Sequence, residues 1–311
     1  MLSRTANSLY WIGRYVERAE FLARLMEATI RLDALSPRSA GPGAWDSALT
    51  VASADYGFDL TGETRSPLAI SRYLTLATSN PSSIRSCLDA ARSNAKSVRT
   101  ALSRDAWEAI NRAWLGLRGR ATTGNSQTTL NIIESIRAET RGFEGALHRM
   151  LRNEAYCFIS LGAAIERADN TARLIDVKYH LLLPEGDRVG GQLDRDQWTT
   201  ILHAVSAVTA YRWLYSEGLK PWLVAELLSL RHELPRSLAA SADEAVVHMN
   251  AIGKRTGRQG EADRLVRLRR SAIERTTIDT IFTQGLHEWL TAFIDENARI
   301  HQAIGTQFRF G

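Results

Sequence analysis

Apolar residues recur at three- and four-residue spacing along most of the chain, the periodicity of helices with one buried face. The pattern runs without proline over residues 5–35 and again over residues 154–183, where Pro184 closes it. At 1.5 Å per residue each of these two helices would span about 45 Å. Further helices are predicted at about residues 44–55, 66–78, 82–118, 128–151, 195–216, 221–231, 235–251, 261–281 and 284–304, with ends good to roughly two to four residues. Clusters rich in glycine, proline and small polar residues at 36–43, 119–128, 184–194 and 253–260 mark the loops between them. No stretch alternates in the manner of a β-strand. The expected fold class is all-α, a multi-helix bundle.

The pattern also repeats. Gly13-Arg14-Tyr15-Val16-Glu17-Arg18-Ala19-Glu20, followed by Ala23-Arg24-Leu25 and Glu27, returns 149 positions later. There it reads Gly162-Ala163-Ala164-Ile165-Glu166-Arg167-Ala168-Asp169, then Ala172-Arg173-Leu174 and Asp176. Seven of fifteen positions are identical, where chance would supply about one. A fainter echo follows: Leu74, Leu76, Pro81, Ser83 and Ile84 match Leu228, Leu230, Pro235, Ser237 and Leu238 at an offset of 154. Trp45 matches Trp198 at an offset of 153. One domain is therefore expected, built from two related halves (about residues 1–150 and 151–311), with an internal pseudo-two-fold axis and the two motif helices packed together.

On a helical wheel Gly13, Glu17, Glu20, Arg24, Glu27 and Arg31 fall on one stripe within a broad apolar belt. The second copy places Gly162, Glu166, Asp169, Arg173, Asp176 and His180 alike. Charges carried through an apolar belt must be paired, because an isolated buried charge costs several kcal/mol. Two readings follow. The charges form a Glu–Arg lattice that holds two long helices in register, or Glu17, Glu20, Glu166 and Asp169 form an anionic pocket for an amine, a guanidinium or a divalent cation. The candidate substrate-binding residues are Glu17, Arg18, Glu20, Arg24, Glu166, Arg167, Asp169, Arg173 and His180. Whether Glu17 meets Arg167 or its neighbour Arg18 is open at this level.

Composition narrows the picture. Of 39 basic residues only Lys96, Lys178, Lys220 and Lys254 are lysines, and the net charge is +5. So diffuse an excess gives no reason to expect a nucleic-acid partner. Cys87 and Cys157 are too few for a disulfide framework or a cysteine-based zinc site. The seven histidines show neither Glu-x-x-His nor His-Glu-x-x-His spacing, so no metal or other cofactor is expected. The opening stretch carries charges throughout and no apolar run reaches membrane-spanning length, so a cytoplasmic location without a membrane partner is expected. The Gly-rich basic segment 253–260 reads as a linker, or as a phosphate contact. The tryptophans read as core or interface anchors.

Three segments, LSRTANSLYWIGRYVERAEFLARL, NPSSIRSCLDAARSNAKSVR and LGAAIERADNTARLIDVKYHLLLP, resemble the bacterial Alpha-E family of all-helical proteins defined by a Glu-Arg motif. The matching dipeptides are Glu17-Arg18 and Glu166-Arg167. The resemblance implies a genomic neighbourhood that holds a circularly permuted ATP-grasp ligase and a transglutaminase-like cysteine peptidase. It therefore implies a helical accessory or partner protein in peptide-like amide-bond formation. The alternative is an enzyme in its own right, using the paired carboxylates for acid/base work in peptide modification.

Overall fold

The computed structural model describes residues 1–35, 43–120, 124–180 and 191–310, leaving aside the side chains of residues 179, 180 and 193. Two long helices organise the rest. α1 (Ser3–Leu35) and α8 (Glu154–His180) carry a broad apolar belt crossed by a charged stripe, and their side chains are buried along most of their lengths. A helix with so wide an apolar belt belongs in the interior, and these two pack on each other at the centre of the molecule.

Around α1 lie α2 (Ala44–Val51), α3 (Asp55–Asp59), α4 (Pro67–Thr75), α5 (Ile84–Ser97), α6 (Arg104–Leu117) and α7 (Ser126–His148). Around α8 lie α9 (Gln192–Ala204), α10 (Val208–Leu214), α11 (Pro221–Leu230), α12 (Leu238–Thr256), α13 (Glu261–Glu274), α14 (Ile278–Gln284) and α15 (Leu286–Phe308). The described residues contain no strand. None of their helices is long and apolar enough to cross a membrane. α5 and α7 pack on α1 as α12 and α15 pack on α8. The short helices α2 and α9 reach across, α2 to α8 and α9 to α1, so the two halves interlock.

Local chemistry explains the boundaries. Pro67 and Pro221 each open a helix, where the missing N–H costs nothing. Ser66, Ser83, Ser103, Asn125, Ser237 and Thr277 cap helix starts with a side-chain oxygen that accepts a backbone N–H. Several expected helices are divided. The stretch 82–118 is broken after Ser97 by a single 3₁₀ turn, and Ser103 starts a new helix. The stretch 195–216 breaks at Ser206, whose φ is +57°. The stretch 44–55 breaks at Ser53, φ +51°, and 261–281 breaks before the Thr277 cap. The first half of the expected linker at 253–260 is helix: α12 runs to Thr256 and ends on Gly257, whose φ of +66° suits glycine.

The apolar interior falls into two clusters. One gathers the first part of α1 (Ala6 to Val16) with that of α8 (Ala155 to Ile165). The other begins at Ala19 on α1 and Ala168 on α8. The two Glu-Arg dipeptides, at 17–18 and 166–167, form the layer between them.

Candidate functional site

α1 and α8 meet through glycine. A Cβ at Gly13 would lie 2.0 Å from the Ile159 carbonyl oxygen, and one at Gly162 would lie 2.0 Å from that of Tyr10. No side chain fits at either position, so the two backbones touch. The contacts are reciprocal: Tyr10 and Ile159 differ by the same 149 positions as Gly13 and Gly162.

One helical turn further on, the charges exchange partners. Arg18 donates from Nε to Glu166 Oε1 at 2.6 Å and from Nη2 to Oε2 at 3.1 Å. Arg167 donates from Nη2 to Glu17 Oε2 at 3.0 Å. Each arginine thus serves the glutamate of the opposite helix rather than its sequence neighbour. A second guanidinium completes each carboxylate. Arg14 Nε reaches Glu166 Oε2 at 2.6 Å, and Arg236 Nη1 reaches Glu17 Oε1 at 2.6 Å. Arg236 Nη2 continues to Glu20 Oε2 at 2.9 Å, and Arg167 Nη1 to Glu244 Oε2 at 2.9 Å.

Glu17 is 5% and Glu166 2% exposed. Burial pushes both carboxyls up, but the guanidiniums outweigh it. Arg167 and Arg236 hold Glu17 down to about 2, and Arg14 and Arg18 do the same for Glu166. Burial lowers the Arg18 and Arg167 guanidiniums, and the facing glutamates raise them by more. All four groups are charged at neutral pH.

The following turn repeats the symmetry within each helix. Arg24 donates to Glu20 Oε1 (3.0 and 2.6 Å), and Arg173 Nε to Asp169 Oδ2 (2.7 Å). Arg24 Nη1 also donates to Ser206 Oγ at 2.5 Å and Arg173 Nη1 to Ser53 Oγ at 2.7 Å. Ser53 and Ser206 lie 153 positions apart, and both hold the left-handed backbone conformation that non-glycine residues seldom adopt. Beyond them Asp176 meets His287 Nδ1 at 2.6 Å, while Glu27 takes Arg31 and Arg137.

The four carboxylates expected to share an anionic pocket are divided between two faces of the helix pair. Glu17 and Glu20 meet at Arg236. Glu166 and Asp169, without Glu17 or Glu20, line a cavity of about 170 Å³. The physical reason is neutralisation: each carboxylate has a guanidinium within 3.0 Å of it. Among the described residues no group of three or more His, Cys, Asp or Glu gathers as a metal site would. The His180 side chain lies outside the described residues. The sequence reasoning missed Arg14, Arg236, Glu244, Ser53, Ser82 and Ser206. Arg14 and Arg18 are not among the residues of the charged stripe, yet both turn onto Glu166. Arg236 carried one signal, its place directly after Pro235 in the second echo.

A Glu-Arg dipeptide occurring twice, with its members exchanged across the molecular centre, is the defining feature of this interior. The family model for Alpha-E, described as a predicted alpha-helical domain with a conserved ER motif, matches residues 1–308. The chain belongs to the Alpha-E family. Neither the curated proteins nor the solved structures give a match. In this Alpha-E chain each copy of the Glu-Arg dipeptide makes a cross-helix lock, and its two members never pair with each other.

Proposed function

We propose that this Alpha-E chain is a helical partner protein of an amide-forming ligase of the circularly permuted ATP-grasp type, with the Glu–Arg layer as its scaffold. The class of partner comes from the resemblance of the sequence, and a transglutaminase-like peptidase is the second candidate from the same source. The proposal sets the protein in the cytoplasm.

The observation that carries the partner reading is at the surface. Trp213 is 84% exposed and Trp222 47% exposed, at the end of α10 and the start of α11. Leu60 and Leu68, at offsets of 153 and 154 in the other half, are exposed as well. Large side chains left in water at matching places are typical of protein contact surfaces, where tryptophans most often anchor binding.

The interior supports the same reading. Proton transfer at neutral pH needs a group that titrates near neutrality. Glu17 and Glu166 are held down at about 2 and their oxygens are occupied by arginine. Copurification with a circularly permuted ATP-grasp ligase, combined with ligase turnover assays, is the direct test. A complex is expected, weakened roughly tenfold or more by Trp213→Ala. No complex at about 10 μM, together with unchanged turnover, refutes the proposal.

A further inference from the structure

The two faces of the α1–α8 pair differ at one position. On one face the Arg236 guanidinium fills the cleft beside Glu17 and Glu20. Its counterpart 154 positions earlier is Ser82, an offset set by Pro81 and Pro235 and by Ser83 and Ser237. Serine ends at its hydroxyl. The matching cleft therefore contains the cavity of about 170 Å³, lined in part by Arg18, Ser53, Ser82, Asp169, Asn170 and Arg173. Asp169, one methylene shorter than its counterpart Glu20, adds to the space.

The polar groups around this cavity are matched to a particular ligand. Arg14, Arg18 and Arg173 face only Glu166 and Asp169, an excess of one positive charge. On the filled face Glu17, Glu20 and Glu244 balance Arg24, Arg167 and Arg236. The cavity is thus no second guanidinium site, since a lone cation would add to an existing surplus. A lone anion would confront Asp169, whose Oδ2 holds Arg173 while its Oδ1 has no hydrogen bond among the described residues.

Donors are plentiful. Ser82 Oγ accepts from Arg18 and Ser53 Oγ accepts from Arg173, which leaves both hydroxyl protons to donate. Asn170 is only 7% exposed, and its Nδ2 has no partner.

We propose that this cavity binds the head group of a free α-amino acid, its carboxylate among Arg18 and the two serine hydroxyls and its ammonium on Asp169 Oδ1. The size agrees: a cavity of about 150 Å³ holds a benzene-sized ligand of about six heavy atoms, the number in alanine. The proposal stands independently of the ligase partnership.

Calorimetric titration of the full chain with L-alanine, propionate and L-alaninamide tests it. Saturable binding of alanine is expected, with propionate and alaninamide each weaker by roughly tenfold or more, because each leaves one charged group of the cavity unpaired. Ser82→Arg places in this cleft the side chain that fills the other, and abolition of alanine binding with the helical fold retained is expected. Asp169→Asn should weaken alanine roughly tenfold, and decides the matter if Ser82→Arg does not fold. No saturation by about 10 mM alanine overturns the proposal. So does equal binding of alaninamide (a cation site) or of propionate (an anion site), or a folded Ser82→Arg chain that binds alanine normally.

Discussion

A carboxylate withdrawn from water must find a counter-charge or take up a proton, and Glu17 and Glu166 have each found two guanidiniums. Glu17→Gln removes the charge and keeps the shape. Arg167 then retains only Glu244 and Arg236 only Glu20. Urea unfolding followed by circular dichroism should show a loss of about 3–5 kcal/mol. Arg31→Gln, at the half-exposed end of α1, should stay within about 0.5 kcal/mol. Acid acts on the same interior. Burial, helped by Arg152 for His248 and by Arg14 for His301, pushes both imidazoles down to about 4. The unfolded chain binds these protons from about pH 6.5 downward and the folded chain only near 4, so stability falls across that window. The two glutamates extend the fall, from their ordinary 4.5 to about 2. Thermal melts should show Tm declining steadily from pH 7 to pH 3, and a level Tm between 6.5 and 4 would contradict the burial of the two imidazoles.

Among the elements, the α1–α8 contact is the least forgiving. Gly13→Ala sets a methyl against a backbone carbonyl, which can move only if the helices part. A loss of about 3 kcal/mol is expected in urea unfolding, the upper end for overpacking. Gly145→Ala, inside α7 with nothing near its Cβ position, should instead stabilise by about 0.5–1 kcal/mol. The repeated glycine was visible in the sequence, and so were the two long helices, because an unbroken apolar belt leaves few alternatives. The divisions of the shorter helices were hidden. Val98, Leu102 and Ala106 are all buried, and they keep four-residue spacing straight through the break after Ser97, so periodicity runs on where the backbone does not. At Ser53 and Ser206 the break comes from a left-handed serine, a residue type that gives no warning.

Across the whole molecule, a charged layer separates two apolar cores. The residues of that layer were legible because they recur at one offset. Their partners were not, since Arg236 and Glu244 lie more than 200 positions from Glu17 in the chain, and no local pattern ties them to it. The wheel could place Glu17 on a stripe, but which guanidinium fills each side of it depends on how α12 packs against α8. The exchange of partners also bears on synthesis. A nascent chain that has reached only residue 150 holds Arg14 and Arg18 without Glu166, Glu17 without Arg167 or Arg236, and Gly13 without its neighbour. The first half lacks most of these partners until α8 emerges, and Glu17 waits further, for Arg236.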